Sequence, residues 1–275
     1  MLIADAQVHV WGPDTPQRPW VPGLTPHRAV PLDAEGLLRE MDVAGVQRAI
    51  LIPPSWDGGR NDLALEAAQR YPDRFAVMGR IDTQAPNAPQ FMATWRTQPG
   101  MLGFRCSFNR PHEAAALLDQ SLEPLWSAAE VHAVPVMIFT THDKLHYIDD
   151  IAGRHPQLRI ALSHLSLPMW KKDDEAFANL DLLLALAKRS NVAVKASALP
   201  AYTDDSYPYR KLHGYLRRVV DAYGPRRVFW GTDLARLPCA YSQAVKMITE
   251  EISWLTAEDK AWILGRGLCE WLRWK

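Results

Sequence analysis

Residues that could perform acid–base chemistry recur where short apolar segments of the chain end. Asp5, Gln7 and His9 alternate with apolar residues in the first segment, a spacing that predicts one common face; His164 ends a later segment and Asp233 directly follows another. A positioned carboxylate can take a proton from water, and an imidazole can polarise a carbonyl group or hold that water. We therefore predict a site with Asp233, His164 and His9 as catalytic residues.

Each of these residues also has an ordinary structural explanation. A lone histidine is most often hydrogen-bonded inside a core, and an aspartate after a strand most often caps the next helix. The hypothesis of a site depends on their convergence at one end of one fold. Further polar residues at other segment ends, described next, support that convergence.

Basic and aromatic residues near the same segment ends predict which kind of small molecule binds. Arg105 lies at the end of the fourth apolar segment, Arg110 lies five residues further on, and Lys195 lies in the seventh segment. A guanidinium group matches a carboxylate, so we expect Arg105 and Arg110 to bind an anionic small molecule. Lys195 could share this task or form an ion pair in the core. Further predicted substrate contacts are Gln7, Trp11 and Tyr207.

Eight short segments rich in β-branched and aromatic residues predict strands. They are Leu2–Val10, Arg48–Pro53, Phe75–Ile81, Met101–Cys106, Val134–Phe139, Leu158–Ser163, Asn191–Ala196 and Arg227–Gly231. Nearly continuous apolar runs, such as those in the second, fifth and eighth segments, are typical of strands that are covered on both faces of a parallel sheet.

Segments with helical periodicity lie between and after the predicted strands. They are Asp33–Ala44, Asn61–Tyr71, Pro89–Thr97, Leu122–His132, Leu145–His155, Asp174–Ser190, Arg210–Tyr223 and Thr256–Leu272. This alternation predicts an α/β fold, a (β/α)8 TIM barrel that forms one domain over residues 1–275. The alternative is an open doubly wound sheet, but no glycine-rich phosphate loop follows a predicted strand. In a barrel, the strand ends described above meet at one face.

Composition limits the classes of partner. The 31 basic residues balance the 31 acidic ones, so there is no general electrostatic reason to bind nucleic acid or a membrane surface. No segment predicts a secretory signal or a membrane span, and the three distant cysteines do not predict a disulfide framework. We expect a cytoplasmic protein. The tryptophan-rich C-terminal region suggests a homodimer contact.

The motifs, taken in order, resemble the amidohydrolase superfamily. They are the N-terminal D-A-x-x-H-V-W, the G-F-R that ends strand four, H-L-S-L-P after strand six, N-V-A-V-K-x-S of strand seven and F-W-G-T-D of strand eight. The resemblance extends over residues 2–272 and is greatest to the branch that holds sugar-lactone lactonases and 2-pyrone-4,6-dicarboxylate lactonase. It implies a TIM barrel of the metal-dependent hydrolase type.

Two positions depart from the pattern that the resemblance implies. That pattern has paired histidines on strand one, histidines after strands five and six, and an aspartate after strand eight. Gln7 replaces the first histidine and Phe139 occupies the strand-five position. A site for two metal ions is therefore not expected. One ion such as zinc could still bind at His9, His164 and Asp233, and the lactonase branch implies that a metal-free mechanism is also workable, which we favour slightly.

The resemblance and the residues together predict a hydrolase that opens a small carboxylated or sugar-derived lactone, with Asp233 as general base on water. One alternative is a metal-dependent non-oxidative decarboxylase on the same scaffold. Another is a barrel that binds a small molecule without catalysis. The metal content of the protein distinguishes a decarboxylase from a lactone hydrolase. Loss of turnover in Asp233→Asn distinguishes an enzyme from a barrel that only binds a small molecule.

Overall fold

Eight parallel strands form a barrel in the computed structural model, which describes residues 1–275 apart from the side chain of His112. The strands are β1 (Ala4–Val8), β2 (Arg48–Leu51), β3 (Phe75–Arg80), β4 (Met101–Ser107), β5 (Val136–Phe139), β6 (Ile160–Leu162), β7 (Val192–Ser197) and β8 (Val228–Gly231). They pair in sequence order, and β8 packs beside β1. The predicted TIM barrel is confirmed, with all eight strands in the expected segments.

Helices cover the outside of the barrel. They are α1 (Ala34–Ala44), α2 (Asp62–Arg70), α3 (Ala88–Phe91), α4 (Pro111–Leu118), α5 (Glu123–Val131), α6 (Leu145–Arg154), α7 (Asp173–Phe177), α8 (Leu180–Ala185), α9 (Arg210–Tyr223), α10 (Tyr241–Lys246), α11 (Ala257–Ala261) and α12 (Gly267–Leu272). None of these helices is both long and apolar enough to cross a membrane.

Three predicted helices are interrupted, and two helices were not predicted. The segment Asp174–Ser190 divides into α7, α8 and a 3₁₀ turn, and a π-helix at Trp262–Arg266 separates α11 from α12. The segment Pro89–Thr97 likewise divides into α3 and a 3₁₀ turn. The prediction missed α4 and α10, which are short and therefore show little periodicity.

The strands are buried on both faces because the barrel separates two apolar cores. One core fills the barrel interior and includes Ile50, Met78 and Met137. The other lies between the strands and the helices and includes Val8 and Leu37. This double burial explains the nearly continuous apolar runs in the sequence. The strands therefore hold their C-terminal ends, and the polar residues there, in fixed relative positions.

An irregularity in β1 reverses the direction of one polar side chain. The pairing register with β2 shifts between Asp5 and Val8. Asp5 points out of the barrel and accepts a hydrogen bond from Tyr241 on α10, at 2.7 Å, whereas Gln7 contacts Lys195 of β7 in the interior. The prediction that Asp5 shares one face with Gln7 and His9 is therefore wrong. A local bulge adds a residue that strict alternation does not contain.

Candidate active site

The three predicted catalytic side chains meet at the C-terminal end of the barrel. His9 Nε2 lies 3.1 Å from Asp233 Oδ1, and His164 Nε2 lies 3.8 Å from Asp233 Oδ2. All three residues are almost fully buried, with 6% exposure for His9, 2% for His164 and 3% for Asp233. The carboxylate of Asp233 thus lies between two imidazole rings.

Backbone conformation helps to hold two of these residues. His164, Leu165 and Ser166 follow β6 with consecutive φ values of 54°, 52° and 54°, and Asp233 has a φ of 51°. Non-glycine residues rarely adopt this left-handed region, and such strain concentrates at functional sites. The Asp233 amide also donates a hydrogen bond of 2.9 Å to the Gln7 carbonyl, which fixes the turn after β8 to β1.

The second nitrogen of each imidazole has a partner within the protein. His9 Nδ1 lies 2.6 Å from the Ile52 carbonyl oxygen, which can only accept, so Nδ1 carries a proton and donates it. His164 Nδ1 lies 2.9 Å from Ser197 Oγ. These contacts orient both rings so that Nε2 faces Asp233. Ser197 is the last residue of β7, and this contact makes it a supporting residue of the cluster.

Burial and neighbouring charge set opposite protonation preferences in the cluster. Burial lowers the pKa of His164 to about 3, and the Asp233 carboxylate only partly offsets this effect. Burial of Asp233 opposes its ionisation, but the adjacent His9 outweighs it, with help from His164 and Arg236, and holds the pKa below its usual range. The site therefore combines an ionised carboxylate with a neutral imidazole at neutral pH.

A cavity of about 400 Å³ opens beside Asp233 and His164. Its lining includes four arginines, which are Arg80, Arg105, Arg110 and Arg236. None of the four forms an ion pair with any residue that the structure describes. Arg105 is 6% exposed and its Nε has no hydrogen-bond partner in the described structure; its guanidinium lies over the Phe139 ring, 5.0 Å from the centroid. A buried cation without a carboxylate partner, such as Arg105, indicates a binding site for an anion.

Burial also lowers the pKa values of two of these arginines. Burial lowers the pKa of Arg105, and burial together with the charge of Arg105 lowers the pKa of Arg80 to about 9. Arg80 and Arg105 come from β3 and β4, whereas Arg236 follows β8, on the opposite side of a ring of eight strands. Positive charge therefore faces the cavity from two sides. Arg80 and Arg236 could not be identified from the sequence, because the absence of a carboxylate partner is a property of the folded protein. Their hydrogen bonds go to the Pro53 carbonyl and the Tyr202 hydroxyl.

Aromatic residues close one side of the cavity. Trp56 contacts His9 and His27 edge-to-face, with ring centroids 5.5 Å and 5.6 Å apart. Trp170 is 74% exposed at the mouth and lies under the Arg236 guanidinium, 5.3 Å from the ring centroid. These residues could not be identified from the sequence, because an aromatic residue in a loop shows the same pattern whether it lines a pocket or packs in a core.

The predicted substrate contacts are only partly brought together. Arg105 and Arg110 line the cavity. Trp11 is 1% exposed and packs against Trp56 at 5.5 Å, so it lies behind the lining. Tyr207 contacts Glu251 through its hydroxyl, 3.3 Å away, and is not part of the lining. Trp11 and Tyr207 therefore contact other residues of the protein and do not line the cavity.

Gln7 and Lys195 form a contact inside the barrel. The Lys195 ammonium donates to Gln7 Oε1 and lies 3.4 Å from Met137 Sδ. Lys195 is fully buried, and burial together with Arg105 lowers its pKa to about 7. The alternative of an ion pair in the core is therefore wrong, because the partner is a neutral amide.

The donor geometry does not fit a resident metal ion. Among the described residues, no three histidine, cysteine, aspartate or glutamate side chains are arranged to hold one. His9 and His164 contact opposite oxygens of the Asp233 carboxylate, at 3.1 Å and 3.8 Å. The possible single-ion site at these three residues has no support in this arrangement, and we derive no chemical step from a metal.

A larger concavity of about 780 Å³ lies at the other end of the barrel, lined by residues such as Arg159, Arg227 and Trp262. It lacks the carboxylate–imidazole cluster. Active sites of this fold lie at the C-terminal end of the strands. We therefore assign the smaller cavity as the site.

Fold and site together define a barrel of the hydrolase class, in which a buried carboxylate and imidazoles lie beside a cavity. The chain belongs to the amidohydrolase family, whose model matches residues 4–266. This confirms the resemblance that the motifs indicate.

Individual relatives agree with this family. An L-fucono-1,5-lactonase from Burkholderia ambifaria is 27% identical, over 74% of this chain and 69% of the relative. A 4-sulfomuconolactone hydrolase from Hydrogenophaga intermedia is 26% identical, over 83% of this chain and 73% of the relative. The crystal structure of an amidohydrolase from Burkholderia multivorans with bound zinc has the same fold, with a TM-score of 0.84, 21% identity and 99% of both chains covered.

Proposed function

We propose that the protein is a lactone hydrolase that acts on a small anionic cyclic ester. The observation that carries the proposal is the Asp233 carboxylate, held between His9 and His164 beside a cavity with four unpaired arginines. The relatives support the same reaction, since one is named as a lactonase and the other as a lactone hydrolase.

Asp233 acts as the general base. It takes a proton from water as the water oxygen attacks the lactone carbonyl carbon, and the carbonyl oxygen becomes an oxyanion. When the ring carbon–oxygen bond breaks, the protonated Asp233 returns the proton to the leaving alkoxide. The sum of these steps is one lactone plus one water giving one hydroxy acid. A positioned acid–base group of this kind contributes about 10²–10⁴-fold to the rate.

The two histidines orient the reacting groups. His9 donates through Nδ1 to the Ile52 carbonyl, so its Nε2 is fixed toward Asp233. His164 is neutral at ordinary pH because burial lowers its pKa to about 3. A neutral imidazole can hydrogen-bond the attacking water without competing for the charge of Asp233. Both residues therefore hold water against the general base.

The arginines bind the anionic part of the substrate. Arg105 has the strongest case, because its guanidinium is buried without a carboxylate partner in the described structure. Arg110 and Arg80 lie on the same side of the cavity. The 4-sulfomuconolactone hydrolase is named for a lactone that carries a sulfo group, and an anionic substituent of this kind suits such a cluster.

Decarboxylation on the same scaffold is the weaker alternative. It generally needs a bound metal, and the donor geometry at His9, His164 and Asp233 does not favour one. A barrel without catalysis is also weaker, since the carboxylate–imidazole cluster and the hydrolase relatives both support turnover. We further propose a cytoplasmic location, as the three cysteines are free, and a homodimer remains a prediction.

The test is proton release from a panel of sugar lactones and carboxylated or sulfonated lactones by the purified protein. Metal content is measured on the same sample. Turnover that falls at least 10²-fold in Asp233→Asn, with substrate binding retained, is the expected result. No turnover across the panel, with or without added zinc or manganese, overturns the proposal.

A further inference from the structure

The contact between Lys195 and Gln7 fixes the orientation of the Gln7 amide. In its protonated form Lys195 has three N–H donors and no acceptor, so the atom that meets its Nζ is the amide oxygen. The Gln7 nitrogen, Nε2, consequently points away from Lys195. This assignment follows from chemistry, although the oxygen and nitrogen of an amide have nearly the same shape.

Gln7 Nε2 has no hydrogen-bond partner among the residues that the structure describes. The side chain is 1% exposed. The two N–H donors of this amide are therefore available to a group that does not belong to the protein chain. An acceptor supplied by a bound substrate would provide the missing partner.

The position of Gln7 links this amide to the site. Gln7 lies in β1, two residues before His9, and its side chain enters the barrel interior. Its backbone carbonyl accepts the amide proton of Asp233 at 2.9 Å. The unpartnered donor therefore belongs to a residue in direct contact with the turn that carries the water-activating carboxylate.

The buried ammonium changes the strength of this donor. Lys195 is fully buried, and the Gln7 oxygen is the only oxygen within hydrogen-bond distance of its Nζ in the described structure. A cation that bonds to the oxygen of an amide draws electron density from the amide nitrogen. In a low-dielectric interior this polarisation is not screened, so the opposite N–H becomes a stronger donor.

We propose that Gln7 is a catalytic residue whose Nε2–H donates to the oxyanion formed at the lactone carbonyl, and that Lys195 strengthens this donor from the other end of the amide. The inference rests on the proposed lactone hydrolysis and adds a residue to it. The carbonyl carbon–oxygen π-bond opens as water adds, and the negative charge on oxygen is stabilised by the Gln7 N–H. When the tetrahedral intermediate collapses, that π-bond re-forms, and no proton leaves Gln7.

Gln7→Glu is the decisive variant. It keeps the size of the side chain and offers Lys195 an even better acceptor, but it removes both N–H donors. We expect kcat to fall about 10²–10³-fold, as for other lost oxyanion donors, with KM and the melting temperature little changed. If Gln7 only supports Lys195 in the fold, Gln7→Glu keeps the wild-type kcat, and the assignment is overturned.

A double-mutant cycle tests the role of Lys195. Lys195→Met should lower kcat in the wild-type background and have little further effect when Gln7 is already Leu, because Lys195 acts through Gln7. Equal effects of Lys195→Met in both backgrounds overturn the coupling between the two residues.

Binding of two unreactive analogues distinguishes stabilisation of the oxyanion from binding of the unreacted substrate. Gln7→Glu should weaken binding of a cyclic phosphonate, which carries an anionic oxygen at a tetrahedral centre, by at least tenfold more than binding of the matching lactam. Equal losses for both analogues overturn the proposal. If the wild type turns over no lactone, the proposed function fails and this assignment fails with it. Wild-type turnover with an unaffected Gln7→Glu variant overturns the assignment alone.

Discussion

Thr232 and Asp5 join the last strand of the barrel to the first through two hydrogen bonds. The Thr232 amide donates to Asp5 Oδ1 at 2.9 Å, and its hydroxyl donates to Asp5 Oδ2 at 2.5 Å. Gly231 permits this approach, because a Cβ at that position would lie 3.0 Å from Asp5 Oδ1. Since Thr232 directly precedes Asp233, a buried carboxylate outside the barrel fixes the turn that carries the proposed base.

The first prediction concerns the pH dependence that Asp5 gives to stability. Burial raises the pKa of Asp5 to about 6, despite hydrogen bonds from Thr232, Gln7 and Tyr241. The folded pKa thus exceeds the unfolded value, so the folded state binds the proton more tightly. The contribution of Asp5 to stability is full below about pH 4 and is lost as the pH rises through about 6.

Urea unfolding at pH 4.5, 6.0 and 7.5 measures this effect. Relative to wild type, Asp5→Asn should be destabilised more at pH 4.5 than at pH 7.5, since wild type retains the protonation contribution only at low pH. The exposed Asp73→Asn serves as the control, with no such pH trend expected. A deficit of Asp5→Asn that is constant with pH contradicts the prediction.

A second prediction concerns Arg105. Arg105→Met should raise KM for an anionic lactone about 10–100-fold, because a charged hydrogen bond contributes about 1.5–3 kcal/mol. The unfolding free energy of the ligand-free variant should be equal to or higher than that of wild type, since the removed cation is buried without a partner.

Steady-state kinetics and urea unfolding on the same preparation test both parts. Arg210→Met is the matched control, because Arg210 is exposed on α9 and should leave KM unchanged. An unchanged KM in Arg105→Met means that this arginine does not bind substrate.

The third prediction concerns His164, whose pKa burial lowers to about 3. The unfolded chain binds this proton with a pKa near 6.5, so His164 reduces stability as the pH falls below that value. His164→Gln lacks this effect. Its stability relative to wild type should therefore improve between pH 7.5 and pH 5, although its kcat falls about 10²-fold.

Thermal unfolding of both proteins over this pH range checks the trend. His213→Gln is a control, since His213 lies partly exposed on α9 away from the cavity. A parallel loss of stability in wild type and His164→Gln would show that His164 is not the buried neutral group described above.

The fold was readable from the sequence because its determinants are local. Each strand is a short run of apolar residues that needs burial on both faces, and the alternation with helices leaves few arrangements. The convergence of His9, His164 and Asp233 was predictable for the same reason, since each lies within two residues of the end of a strand. The ends of parallel strands meet at one face of a closed barrel.

The features that could not be predicted from the sequence depend on contacts between residues far apart in the chain. The bulge in β1 turns Asp5 outward, and simple alternation contains no signal for it. Arg80 and Arg236 are ordinary arginines in the sequence, and their proposed role depends on the cavity that they line and on the absence of a carboxylate partner. The neutral partner of Lys195 likewise depends on a residue 188 positions away.

The unpaired arginines have a practical consequence for work with the protein in solution. Mutual repulsion and burial make an empty cavity electrostatically unfavourable, and a small dissolved anion relieves this. Phosphate or citrate buffer should therefore raise the melting temperature and compete with the substrate, whereas a cationic buffer such as Tris with chloride should do neither. Two laboratories that use different buffers would then measure different KM values and the same kcat. The choice of counter-ion is, for this cavity, an experimental variable as important as pH.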